Sequence, residues 1–417
     1  MNRRRNSRPT LGRGLYLLTK KLALGLVAKL SGLRSSYRLT RRRSLSPLRA
    51  APGPDVLTAL ERVSERSARG QHLRLTDEEE RLCEAIRRET DQHNRNNVTR
   101  TMAYWRLYER HPELHWALLA HLVSRNGGWN MTDLRGQWLP GLIEPRMIDD
   151  VFRMLETCNA LIFGDAYPQL LLYAEGKRLG ASLVHLLPRF GVSAFMTPFW
   201  NKFADDGIPA PLTSALIVNE QHVIQRPVVE DRYYADNVLG KLSFRAQPWL
   251  QNNQIVFPLR DESGHAIRLA GRVLERFDSL RERIRFGQML YAMLYGYPAI
   301  LERAVAFARG VPHTGSRADY WPHRYASVRR EDGMPEGHAA SYSPTLADAW
   351  PDQPLKPTLR EDWFESEESF VYLRNLKRPL VVDMTHEHLF GQSKLEAAAL
   401  ALRSFKNGDS SFRTGRG

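Results

Sequence analysis

The chain is 417 residues long, 42% hydrophobic and 10% aromatic, which is a globular composition rather than a disordered one. Fourteen of its 60 Lys and Arg residues fall in the first fifty positions, where no Asp or Glu occurs. The formal charge of +14 therefore belongs to that arm, and the neutral remainder argues against a fold that binds polyanions over its whole surface.

In the segment 1–50, Leu11, Leu15, Leu18, Leu22, Leu26, Leu30 and Leu33 recur every three or four residues, the stripe of an amphipathic helix. Arg13, Lys20, Lys21 and Arg34 lie off the stripe, as on a helix resting on a membrane surface, although Lys29 interrupts it and Gly12, Gly14, Gly25 and Gly32 weaken it. This segment is expected to be a basic amphipathic arm, flexible or membrane-bound. Segment 51–75 reads as the linker Ala51-Pro-Gly-Pro54 and a helix over 55–68. Thr76-Asp-Glu-Glu79 is a capping box that opens the next helix. A helical core is expected over 76–310. Residues 98–126 look helical, with a start at Pro112 and a stop at Gly127-Gly128, and 146–163, 166–187 and 192–204 also favour helix. Gly207, Pro209 and Pro211 suggest two lobes meeting near 205–215. Stretch 213–230 fits strand or helix equally.

Runs 254–260 and 265–270, split by Asp-Glu-Ser-Gly, read as a hairpin. A helical run over 272–309 is interrupted near Gly296 and Pro298. Periodicity then vanishes, and 311–367 is expected to be an irregular strap anchored by Trp321, Trp350 and Trp363. Segment 368–405 offers a strand-like run at 379–383 and a helix at about 393–405, while 406–417 is expected to be disordered. The fold class is mainly α: a multi-helical globular body with minor β structure and a long strap, preceded by the basic arm.

The densest polar run is His313-Thr-Gly-Ser-Arg-Ala-Asp-Tyr-Trp-Pro-His323. It supplies a hydroxyl (Ser316), an orienting carboxylate (Asp319) and two imidazoles (His313, His323) as candidate catalytic groups, with Arg317 to grip an anion. No G-x-S-x-G elbow accompanies them. The alternative is a strap whose side chains cap its own turns. If the run is a pocket, Asn97, Arg100, Arg125 and Asp133 are expected to converge on it as ligand-binding groups. No metal site is expected. His111 and His115 share a helix face, but Pro112 occupies the place of the zinc-helix Glu, and Thr385 is better read as the cap of a helix than His386 and His388 as ligands. Cys83 and Cys158 form no CxxC pair, so a reducing cytoplasm is the expected compartment. No stretch approaches the roughly 20 apolar residues of a membrane span.

Three long strings carry a resemblance: Asn96 to Tyr104 (NNVTRTMAY), His111 to Leu134 (HPELHWALLAHLVSRNGGWNMTDL) and the 313–323 run, together with Asn219-Glu-Gln221. They resemble the YppC-like proteins of Bacillus and related Gram-positive bacteria, a domain of unknown function, over about residues 75 to 325. The resemblance implies a bacterial source and brings no reaction, cofactor or catalytic residue.

The leading expectation is a cytoplasmic binding or assembly protein held peripherally at the inner membrane face, with an anionic membrane surface as the partner of 1–50. A hydrolase-type enzyme built on 313–323 is the alternative. Nucleic-acid binding through the arm ranks below both, because a phosphate backbone does not reward the leucine stripe.

Overall fold

The computed structural model describes residues 29–41, 46–66, 74–241, 253–260, 267–329, 340–353, 361–365 and 367–413. The fold is mainly α. Its principal helices are α1 (29–40), α2 (Pro54–Arg66), α3 (Asp77–His93), α4 (Asn97–Arg110), α5 (His115–Asp133), α6 (Pro145–Leu179), α7 (Thr197–Asp206), α8 (Pro209–Val223), α9 (Leu280–Gly296), α10 (Pro298–Gly310) and α11 (Thr385–Arg413). Thr76 and Glu79 form the expected capping box at α3, and Asn96 and Thr99 form a second at α4.

Helix α5 is the axis of the molecule. Trp116, Leu118, Leu122, Trp129 and Met131 are buried, and so are His121, Ser124, Arg125, Asn126 and Asn130, so the helix has almost no solvent face. Helices α4, α6, α8 and α9 and the first hairpin strand pack around it. The helix passes through Gly127-Gly128 instead of stopping there, because tertiary packing outweighs a glycine penalty of about 1 kcal/mol per residue. Two expected helices, 146–163 and 166–187, are the single helix α6, which carries Pro168 inside and ends at Gly180 in the left-handed region (φ 68°). The ambiguous 213–230 stretch is α-helical as far as Val223 and π-helical over Gln225–Val229; residues Leu212 to Asn219 are all buried, which erases any amphipathic period. Gly207 (φ 65°) closes α7, and Phe203 before it and Leu212 after it enter one core. Gly207 and Ile208 thus form the turn between α7 and α8, and Pro209 and Pro211 lie in the first turn of α8.

Strands β1 (Gln254–Arg260) and β2 (Ile267–Val273) form the expected antiparallel hairpin, in register from Gln254 opposite Val273 to Arg260 opposite Ile267. The hairpin lies on α5 and α10. At its free edge Gly271 N donates to Val382 O (2.9 Å) and Met384 N to Leu269 O (2.8 Å), so the 379–383 run makes a single bridge in place of a strand. Helix α11 starts at Thr385, whose amide donates to the Asp383 carboxylate (2.9 Å), and continues to Arg413 through part of the stretch expected to be disordered.

The described residues of the basic arm belong to this fold. Ser35 Oγ donates to Asp383 Oδ2 (2.5 Å), and Ser36 Oγ accepts from the amides of Val382 (3.0 Å) and Asp383 (2.9 Å). Leu48 pairs with Leu376, and the amides of Ala50 and Ala51 donate to Asn375 Oδ1. Leu11 to Leu26 of the leucine stripe lie outside the described residues.

Candidate functional site

One face of α5 engages the strap, turn by turn. Arg125 donates through Nη1 to Val311 O (2.8 Å) and through Nη2 to Pro312 O (2.9 Å), so its charge sits at the C-terminal end of α10, where the helix dipole favours a cation. Trp129 Nε1 donates to Asp319 Oδ2 (3.3 Å), Thr132 Oγ1 donates to Gly315 O (2.6 Å), and Asp133 meets Arg317. Positions 125, 129, 132 and 133 share one helical face by their spacing, and Gly128 lies between them.

Within that frame His313 is a clip. Asn97 Nδ2 donates to the carbonyl of Ser124 (2.9 Å), which fixes the amide orientation and turns Asn97 Oδ1 toward His313 Nε2 (2.8 Å). The imidazole must therefore carry its proton on Nε2 and donate it to Asn97. Its Nδ1 lies 3.4 Å from Asp319 Oδ2, an electrostatic contact without hydrogen-bond geometry. Burial lowers the affinity of His313 for a second proton, Asp319 acts against that, and Arg125 reinforces it. Burial pushes the Asp319 carboxyl up, but its polar neighbours, among them the amide and hydroxyl of Thr314 that donate to it, hold it below the usual carboxylate range.

Gly128 makes the clip possible. A β-carbon there would stand 2.7 Å from His313 Nε2 and closer still to Asn97 Oδ1. Gly128→Ala is expected to break the His313–Asn97 bond and destabilise the fold by about 1–3 kcal/mol in urea denaturation, despite the higher helix propensity of alanine. A neutral or stabilising result would show that the contact yields without cost.

Arg317 is the second node. Its Nε and Nη2 both reach Asp133 Oδ2 at 2.7 Å, Nη2 also donates to Asn130 Oδ1 (3.1 Å), and Nη1 donates to Tyr320 OH (2.5 Å). Burial alone would weaken its hold on the proton, but Asp133, Tyr320 and Tyr325 more than offset that and raise it. Burial pushes the Asp133 carboxyl up while the guanidinium pulls it down, and the two short contacts keep the pair ionised. His388 closes the group: Nδ1 meets Gln254 Oε1 at 2.9 Å and Nε2 meets Tyr320 OH at 3.2 Å.

The sequence-predicted candidates thus divide. His313, Asp319, Asn97 and Arg125 form one cluster, and Arg317 and Asp133 form an adjoining one. Ser316 Oγ donates to Ser343 O (2.5 Å) and caps the turn beneath Ala318, so it does not face His313 as a nucleophile would. His323 is exposed. Arg100 lies elsewhere, bound to Glu156 and to Asn94 Oδ1 (3.0 Å). Among the described residues no three His, Cys, Asp or Glu side chains are placed to share a metal ion.

A separate cavity of about 230 Å³ lies between α4, α5, α6, α8, α9 and β1, walled by Leu119, Val123, Leu155 and Phe286 among other apolar groups. Arg100 lines this cavity rather than the cluster around His313. The other polar groups in its wall include Glu220, Gln221 and Arg283. Sequence reasoning did not place these three at a site, although Asn219-Glu-Gln221 closes a long apolar run, and an acid at the end of such a run is a signal of burial.

A family model described as "Protein of unknown function (DUF2515)" matches residues 92–396, from the end of α3 into α11. An uncharacterised protein of Bacillus subtilis (strain 168), YppC, is 36% identical over 319 residues, covering 76% of this chain and 94% of that protein. No solved structure matches. The matched span holds α5, the strap and the cavity together, and the chain belongs to the DUF2515 family.

Proposed function

We propose that the protein is a binding or assembly protein that associates peripherally with an anionic membrane surface through its basic arm, and that α1 is the part of the arm which fixes its orientation. The observation that carries this reading is which face of α1 is spent on the fold. Helix α1 buries Gly32, Ser35, Ser36, Leu39 and Thr40 against the 376–386 region, so its small and polar side is used for docking. The continuation of the leucine stripe is left outside: Leu30, Leu33 and Tyr37 are 57%, 50% and 68% exposed. Lys29, Arg34, Arg38 and Arg41 surround them, all exposed. An apolar ridge among cations suits a lipid interface, where each Lys or Arg near an anionic surface is worth about 1 kcal/mol. Among the described residues no helix is long and apolar enough to cross a membrane.

Co-flotation with phosphatidylglycerol-containing vesicles tests the reading. The full chain is expected to float with them and to be released by salt, while Leu30→Gln/Leu33→Gln/Arg34→Gln/Arg38→Gln should lower partitioning at least about tenfold without loss of thermal stability. Equal flotation of the two chains would sink the role of α1. Tighter binding to duplex DNA than to vesicles, undiminished by the two leucine substitutions alone, would move the arm to a nucleic-acid role.

A further inference from the structure

The charge inside the central cavity is not balanced. Arg100 is neutralised by Glu156. Arg283, on α9, is buried, and its four hydrogen bonds all end on neutral oxygens: Gln221 Oε1 (2.9 Å), Gln221 O (3.4 Å), Phe277 O (2.6 Å) and Gln225 Oε1. A guanidinium has five N–H donors and stays protonated in a protein, so one donor and the full charge remain. Among the described residues no carboxylate lies within ion-pair distance of it, and Asp278 and Glu230 act on it only from farther away. A buried cation without a counter-ion is costly, and the usual remedy is an anion.

The remaining groups in the cavity do not supply one. Cys158 is a neutral thiol, its ionisation pushed up to about 12 by burial. The Glu220 carboxyl accepts from Trp116 Nε1 (3.0 Å) and Gln221 Nε2 (3.0 Å), yet burial still pushes it up to about 8 and leaves it mostly protonated at neutral pH. The polar wall is also not saturated, because Asn253 Oδ1 and Arg100 Nε have no hydrogen-bond partner among the described residues.

We propose that this cavity is a binding site for a small amphiphilic carboxylate, its head at Arg283 and its hydrocarbon against Leu119, Val123 and Leu155. Size limits the class. An apolar cavity of about 150 Å³ holds a benzene ring. A volume of about 230 Å³ therefore suits a medium-chain or aryl-alkyl acid of roughly nine or ten non-hydrogen atoms. The proposal does not depend on the membrane reading.

Trp116 lines the cavity, so tryptophan fluorescence and calorimetry of the full chain can report occupancy. The probe is octanoate at neutral pH, with octan-1-ol and octylammonium as chain-matched controls. Octanoate should bind saturably, octanol at least about tenfold more weakly and octylammonium more weakly still. Arg283→Met should erase the preference for the acid over the alcohol. Because Arg283 also ties α9 to residues 221–225, Val123→Phe provides an independent variant: it fills the cavity, leaves every polar group in place and should abolish binding of acid and alcohol alike. Octylammonium binding as tightly as octanoate, or octanoate binding unchanged in Val123→Phe, would overturn the assignment.

The pH profile is a further readout. Glu220 faces Trp116 from α5, Asp165 from α6, Tyr104 from α4 and Gly287 from α9, and it shares the cavity with Arg100 and Arg283. Its ionisation above about pH 8 puts a second negative charge beside the bound acid, so octanoate affinity should fall there in the wild type and stay level in Glu220→Gln. The same fall in both chains would count against the site.

Discussion

Arg317→Met is expected to destabilise the fold by about 3–5 kcal/mol, toward the lower end because the Asp133 side chain is 16% exposed, and the loss should appear as a lower midpoint in urea with an unchanged m value. The methionine keeps most of the apolar stem. What it removes is the partner of an ionised carboxylate on the central helix, together with the donor to Tyr320 OH. Leaving one charge of a buried pair is far worse than removing both. Arg317→Met/Asp133→Leu should therefore recover a substantial part of the loss. If the double replacement were as unstable as the sum of the singles, the pair would not be the source of the effect.

Trp350→Ala should cost a similar amount, about 3–5 kcal/mol, for a different reason. Trp350 is buried, stacks on Phe152 of α6 at 3.9 Å between ring centroids with 6° between planes, and donates Nε1 to Met131 O (2.9 Å). Arg135 lies over its ring at 4.0 Å. Alanine would leave a cavity between the strap, α5 and α6 that rigid helices cannot close. Trp350→Phe should cost much less, about 1–2 kcal/mol, because it keeps the stacking and loses the hydrogen bond. Hydrogen exchange separates local from global effects. If the strap opens as a unit, Trp350→Ala should speed exchange over 313–321 and 341–350 while α8 stays protected. Uniform acceleration would instead make the strap inseparable from the core.

Much of the architecture is legible in the chain where signals are local. The capping box at Thr76, the break at Gly296-Tyr297-Pro298 and the hairpin around 260–267 depend on a few adjacent residues, and the structure has all three. Signals that depend on what packs alongside misled. Gly127-Gly128 reads as a stop, but it is the place where His313 and Asn97 approach the backbone of α5. Residues 164–165 separate two expected helices, but α6 continues through them and through Pro168. The 213–230 run has no period because α8 is buried on all sides.

Site residues follow the same division. His313, Ser316, Arg317 and Asp319 are conspicuous as a polar run in a segment without periodicity, and Asn97, Arg125 and Asp133 do join them. Their chemistry was not legible, since it depends on which atom each meets. Ser316 turns to Ser343, and Asn97 dictates the tautomer of His313. Arg283 gave no signal at all. A lone arginine in an amphipathic helix is ordinary, and only the absence, among the described residues, of a carboxylate within ion-pair distance sets it apart.

The sequence by itself determined the location of the charge, the mainly helical class, the strap and its family strings, because composition and short-range pattern are properties of the chain alone. The tertiary structure decided which face of each helix is used. It turned the side of α1 with Ser35, Ser36 and Leu39 inward and Leu30 and Leu33 outward, made the buried polar groups of α5 the lock for the strap, and placed in an apolar cavity a guanidinium with no carboxylate within ion-pair distance among the described residues. The first two arise from contacts between residues more than a hundred positions apart and the third from contacts up to about sixty apart, where burial and partner choice, rather than local propensity, set the energy.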